Sequence, residues 1–226
     1  MLQDPANCYI SAILSRCDLT GKEVLEVGCG KGRITHDLAM HAKRVVATDP
    51  DAYALVIARA AIDADNVEFV KSPNGMPELP AESFDVVMYT LSLHHVPIQE
   101  MPGSLCSAAR LLRKDGIIVV IEPGDGGSFT EVKERFGAGS GDERPAKESA
   151  TRAMDSLVGW TLEEAVIFRT QFQFDDDEDF LAHMLPSYRQ KPENMVDDVR
   201  RFLLLHQTGD GIILDADRRL NVLRRL

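Results

Sequence analysis

The 226-residue sequence predicts an α/β fold, a doubly wound and mostly parallel sheet with helices on both faces and one antiparallel strand near the C-terminus. Three observations predict it. Short apolar runs alternate with stretches of helical periodicity, the arrangement that right-handed strand–helix–strand crossovers produce. The first run ends in closely spaced glycines, and the second ends in an aspartate. Both are features of strand ends that face a ligand.

The elements follow in order. Apolar residues at Ile10, Ile13, Leu14 and Cys17 repeat at i, i+3, i+4 and i+7, so Asp4 to Cys17 reads as an amphipathic helix that Asp18-Leu19-Thr20-Gly21 ends. Strands are then expected at Glu23–Val27, Arg44–Thr48, Val67–Lys71, Phe84–Tyr89 and Ile117–Glu122, with helices beginning at Gly32 and Asp51 and another at Met101–Leu112. After Glu122 the texture changes. The glycine-rich stretch Gly124–Gly141 reads as a mobile loop or lid with a short helix near Thr130–Phe136. Beyond it the pattern predicts a helix over Ala146–Val158, a strand over Val166–Phe174, and a helix over Asp175–Leu185 with Asp175 as N-cap. A helix over Asn194–Leu205 and a final strand Gly211–Leu214 precede the tail. The expected organisation is a single domain over 1–226: an N-terminal helix (1–19), a cofactor-binding core (20–123), a lid or insertion (124–160) and a C-terminal part completing the sheet (161–226).

Composition bounds the partners. With 25 Lys and Arg against 36 Asp and Glu, the net charge of −11 opposes unaided approach to a polyanion, so nucleic acid is disfavoured. The first residues lack a basic segment followed by an apolar core, and no apolar run has the length of a membrane span, which leaves the cytoplasm as the expected compartment. Cys8, Cys17, Cys29 and Cys106 form no CxxC pair and have no histidine at ligand spacing, so each is expected to be a small buried thiol and no metal site is expected.

Chemistry concentrates in Val24-Leu25-Glu26-Val27-Gly28-Cys29-Gly30-Lys31-Gly32-Arg33, an apolar strand running through glycines into a helix. Two cofactor classes compete for such a bend. A dinucleotide fingerprint places its third glycine where this chain has Arg33. The observed spacing is Glu26-x-Gly28-x-Gly30-x-Gly32 instead. Asp49 stands 17 positions after Gly32 and can accept hydrogen bonds from the two hydroxyls of a ribose, a property shared by either class. Two further segments are Phe84-Asp85-Val86-Val87 leading into Leu93-His94-His95-Val96, and Leu111 to Pro123 with a glycine turn and a strand ending in Glu122-Pro123.

Together, in this order and spacing, these segments resemble the class I S-adenosylmethionine-dependent methyltransferases, methyltransferase type 11-like, over roughly Thr20 to Pro123. The resemblance implies a Rossmann-like fold and S-adenosyl-L-methionine as cofactor. It implies cofactor contacts from Glu26, Gly28, Cys29, Gly30, Gly32, Arg33, Asp49, Pro50, Asn74, Gly75 and Thr90. Several of these have a plainer role beside the functional one. Glu26 can be a buried acid that satisfies loop amides, and Arg33 a solvated helix residue rather than a partner of the methionine carboxylate. Asp49 can cap a helix, although Asp51 is the better cap. Thr90 would offer its backbone carbonyl to the cofactor's ammonium.

One departure stands out. The acidic residue that many relatives use near adenine falls on Pro73, leaving Asn74 or a backbone carbonyl to substitute.

For the reaction, His94 and His95 follow a strand at the ligand edge, where a neutral imidazole can remove a proton from the acceptor; a structural hydrogen bond is the plainer role. Glu122 is a candidate substrate contact. Tyr9 is a candidate cover over the site, or else a core aromatic. The expected function is methyl transfer to an O, N or C atom of a small-molecule acceptor. The alternatives are a protein or RNA acceptor, an NAD-dependent oxidoreductase, and a non-catalytic cofactor-binding protein. Oligomeric state has no signature in the sequence.

Overall fold

The computed structural model describes residues 1–73 and 75–226. Its strands are β1 (Leu2–Gln3), β2 (Glu23–Val27), β3 (Arg44–Asp49), β4 (Val67–Lys71), β5 (Phe84–Thr90), β6 (Leu112–Pro123), β7 (Trp160–Leu162), β8 (Val166–Phe174), β9 (Gln207–Thr208) and β10 (Gly211–Arg225). Its α-helices are α1 (Cys8–Arg16), α2 (Arg33–Ala39), α3 (Ala52–Ala61), α4 (Met101–Leu111), α5 (Ser128–Phe136), α6 (Arg144–Asp155), α7 (Asp177–Met184) and α8 (Glu193–Leu204). No helix among the described residues is long and apolar enough to cross a membrane.

The chain divides into two compact units, and the larger comprises Ile10–Glu122, Ala146–Val166 and Arg219–Leu226. Here β6, β5, β2, β3 and β4 lie side by side, all parallel, with β2 central. Parallel strands need a crossover between neighbours, which is why helical segments separate them in the sequence. The apolar run of β2 is buried on both faces. Leu25, Val27, Val87, Tyr89, Ile118 and Val120 join Leu105, Ala108 and Leu111 of α4 in one core cluster. Cys106, one place past Leu105, falls outside this helical stripe and is exposed, and Cys8 is half-buried, so only Cys17 and Cys29 meet the expectation of buried thiols. Asp51 caps α3 as expected, its side chain accepting from Tyr53 N.

The smaller unit comprises Met1–Tyr9, Pro123–Pro145 and Ile167–Arg218. Its core gathers Phe129, Phe172, Phe174, Phe180, Val199, Phe202 and Leu214, with the Phe129 and Phe172 rings stacked at 3.7 Å. Asp176, not Asp175, is the N-cap of α7. The reason is reciprocal: Asp176 accepts from Asp179 N, and the Asp179 carboxylate accepts from Asp175 N, so the earlier aspartate serves as donor through its backbone.

Two strand expectations need correction. The last strand does not stop at Leu214; it runs to Arg225, because Leu214, Ala216, Arg218 and Leu220 alternate inward while Asp215, Asp217 and Arg219 take the other face. Interleaved charges hide that period from a hydrophobicity reading. Antiparallel pairing is also more extensive than one strand: β1 pairs β8, and β10 pairs both β7 and β9.

Candidate functional site

The site is built at the carboxyl ends of the parallel strands of the larger unit. At the end of β2 the chain turns through Gly28, whose φ of 77° favours glycine. A Cβ there would lie 2.5 Å from the Cβ of Ser92, so the loop after β5 packs directly on this bend. The Ser92 hydroxyl donates to Val27 O at 2.5 Å. From the other side, Gly28 N and Cys29 N both donate to Thr48 O, at 2.8 and 2.9 Å. At Gly30 the environment differs: nothing lies within 4 Å of where its Cβ would be, so the main chain is bare toward open space. Gly32 then opens α2.

Asp49 joins this bend to the next strand end. Its Oδ2 accepts from Gly30 N at 2.7 Å and its Oδ1 from Asp51 N at 2.8 Å. A carboxylate has about four acceptor positions, so capacity remains for hydroxyl donors. Below it, the Thr48 hydroxyl meets Gly75 O at 2.5 Å, and Ser72 N donates to Asp49 O at 3.1 Å, which draws the segment after β4 toward the same edge. Pro50 and Pro73 are exposed at this edge, and Asn74 lies outside the described residues.

Glu26 is fully buried beneath the bend. Its carboxylate is held by two hydroxyls, with Thr35 Oγ1 donating at 2.6 Å and Thr90 Oγ1 at 2.7 Å. The plainer expectation for Glu26 was bonds to loop amides; the hydroxyls of Thr35 and Thr90 hold it instead. Burial pushes the Glu26 carboxyl up, against the hydroxyl bonds and the nearby Arg33 charge, which pull it down. The sign follows. A carboxyl raised by folding contributes most stability below its unfolded value and loses that contribution as pH rises through the folded one. Glu26→Gln is therefore expected to gain stability relative to the natural protein as pH rises above the ordinary carboxylate range, measured by parallel thermal melts. Melts that stay parallel over that rise would contradict the assignment. Burial likewise pushes the Cys29 thiol far up.

After β5, Leu91 adopts φ 61°, unusual for a branched side chain, and its N–H bonds Ile121 O at 2.8 Å. The strained corner leads into a 3₁₀ turn, Leu93–His95, that carries both histidines. They separate in role: His94 is buried and His95 exposed, with ring centroids 4.0 Å apart. His94 Nδ1 lies 2.5 Å from Glu122 Oε2, and both side chains are almost wholly buried. Neither Glu122 oxygen takes a well-aligned hydrogen bond from a described residue. Sequence reasoning named both residues but did not pair them. It missed Thr35, Thr48 and Ser92, whose only signal was a hydroxyl at a strand or helix end.

Tyr9 belongs to the smaller unit. It is fully buried, its hydroxyl accepts from Arg218 Nε at 2.6 Å, and its ring stands edge-on to Phe168.

Comparison with known proteins places this geometry. Residues 25–120 match the family model of a methyltransferase domain. Demethylmenaquinone methyltransferase of Tropheryma whipplei is 34% identical over 102 residues, 45% of this chain and 42% of the relative. Ubiquinone biosynthesis O-methyltransferase of Hahella chejuensis is 35% identical over 104 residues, with the same two coverages. The aligned part amounts to about half the length of the curated relatives. A candidate type II methyltransferase from Anaeromyxobacter dehalogenans shares the fold over 100% of this chain and 98% of its own, with TM-score 0.69 at 15% identity. Over residues 25–120, therefore, the chain is similar to the methyltransferase domain family, and its fold is that of solved methyltransferases.

Proposed function

We propose that the protein transfers the methyl group of S-adenosylmethionine to a heteroatom of a small-molecule acceptor. The observation that carries this is the bend at Gly28–Gly32 with its bare backbone at Gly30 and the Asp49 carboxylate beside it. Main chain without a Cβ fits close approach of an aminoacyl group, and a strand-end carboxylate fits a pair of ribose hydroxyls. Glu26, Thr35 and Thr90 hold the floor beneath the bend. The cofactor, when bound, supplies an activated methyl on a sulfonium, so the protein's share is to align the acceptor and exclude water. With the cofactor bound, His94 would take the proton that the acceptor oxygen or nitrogen loses on receiving the methyl group. Glu122 orients that imidazole through Nδ1. The name of the similar ubiquinone biosynthesis O-methyltransferase favours an oxygen atom as acceptor.

The acidic net charge supports a small acceptor over a nucleic acid. The test is twofold. Thermal melts are expected to rise with S-adenosylhomocysteine and not with NAD; a response to NAD alone reverses the cofactor. Incubation of the protein with methyl-labelled cofactor and a metabolite extract is expected to label a low-mass product. Label found only in macromolecules removes the small-molecule acceptor.

A further inference from the structure

The smaller unit buries a cation that ion-pairs with no carboxylate among the described residues. Arg218 lies on the inward face of β10 and is only 4% exposed. Its Nε donates to the Tyr9 hydroxyl at 2.6 Å and its Nη1 to Asp217 O at 3.2 Å, both uncharged acceptors. The guanidinium carbon sits 5.4 Å from the Phe172 ring centroid and 5.9 Å from that of Tyr9. No carboxylate among the described residues ion-pairs with it. The neighbouring acids are directed elsewhere by the strand's own alternation: Asp215 and Asp217 occupy the opposite face, where Arg169 pairs with them at 3.0 and 2.8 Å. The Asp4 carboxylate accepts from the backbone of Cys8 and Tyr9.

A buried charge is ordinarily paired, because removal from water costs more than neutral hydrogen bonds return. Aromatic faces compensate part of that cost, and here they cover the guanidinium from the sides. What they leave is its edge. Nη2 donates to none of the described residues, while Arg218 has five N–H groups arranged to meet a carboxylate or phosphate in its own plane.

We infer that Arg218, flanked by Tyr9 and Phe172, is the binding site for an anionic group of a small ligand, a carboxylate or a phosphate received at the free edge of the guanidinium. The site does not depend on the methyl-transfer assignment, because all its residues lie within the smaller unit. The anion supplies the missing counter-charge.

The experiment is calorimetric titration of the full chain with sodium benzoate and, separately, inorganic phosphate, at constant ionic strength. One of the two is expected to bind saturably, and which one does tells a carboxylate ligand from a phosphorylated one. Arg218→Met keeps the length and the apolar stem and is expected to weaken that binding at least about tenfold. Arg218→Lys retains the buried charge, and so tests the site even where the Met variant does not fold. A lysine lacks the planar fork, so a loss of several-fold is expected there too. Failure of both anions to saturate the natural protein overturns the site, as does unchanged affinity in the substituted one.

Discussion

Gly28→Ala is expected to lose both cofactor binding and much of the protein's stability. The added methyl would meet the Cβ of Ser92 at 2.5 Å in a backbone conformation that L-residues rarely adopt. A left-handed backbone costs about 1–2 kcal/mol and overpacking about 1–3 kcal/mol, so the loss is roughly 2–5 kcal/mol of a typical 5–15. For a chain of this size that lowers the melting temperature on the order of 10 °C. Gly30→Ala is the informative control, because its Cβ would meet nothing within 4 Å. Its φ of 55° carries the same left-handed cost of about 1–2 kcal/mol but no clash, so its stability is expected to fall less than that of the Gly28 variant, whereas its affinity for S-adenosylhomocysteine is expected to drop as far. Calorimetric titration and thermal melts of the two proteins separate the effects; full affinity in Gly30→Ala would mean that the bare backbone there does not face the cofactor.

His94→Gln and Glu122→Gln are expected to reduce kcat by about 10²–10⁴ and by a smaller factor respectively, with cofactor affinity retained. The pH profile is the decisive reading. With His94 as the proposed base, only its unprotonated form accepts the proton, so kcat/KM of the natural protein is expected to rise with pH and that rise to be lost in His94→Gln. In the proposed mechanism Glu122 acts through its contact with His94 Nδ1, as a positioning residue. Its loss is expected to shift the profile as well as its height. Thermal destabilisation with an unchanged profile would assign the buried pair to structure alone.

Much of this architecture was legible because the parallel strands are continuous apolar runs bounded by glycine, aspartate or a loop. Glu23–Val27, Val67–Lys71 and Val166–Phe174 begin and end where the pattern places them. What escaped had a physical cause in each case. Strand β10 carries Asp215, Asp217, Arg218 and Arg219 through its middle, and three of the four take the outer face while the fourth is a buried arginine. The short strands β1, β7 and β9 are two or three residues long, too brief to show a period. Within the site, the backbone-facing elements were readable from glycines and Asp49, because their conformational needs restrict residue type. The supporting hydroxyls of Thr35, Thr48, Thr90 and Ser92 were not, since a threonine at a strand end has the same appearance whether it bonds a carboxylate or water. Likewise, His94 and Glu122 are 28 positions apart, and only the adjacency of β5 and β6 brings them into contact.

The unequal placement of the cysteines gives the protein a built-in handle for bioconjugation. Nucleophilic attack on a maleimide requires a thiolate, and at Cys29 burial among acidic neighbours suppresses that form strongly. Cys106 projects into water from the outer side of its helix, so a fluorophore introduced under mild conditions should settle there and leave the glycine bend chemically untouched.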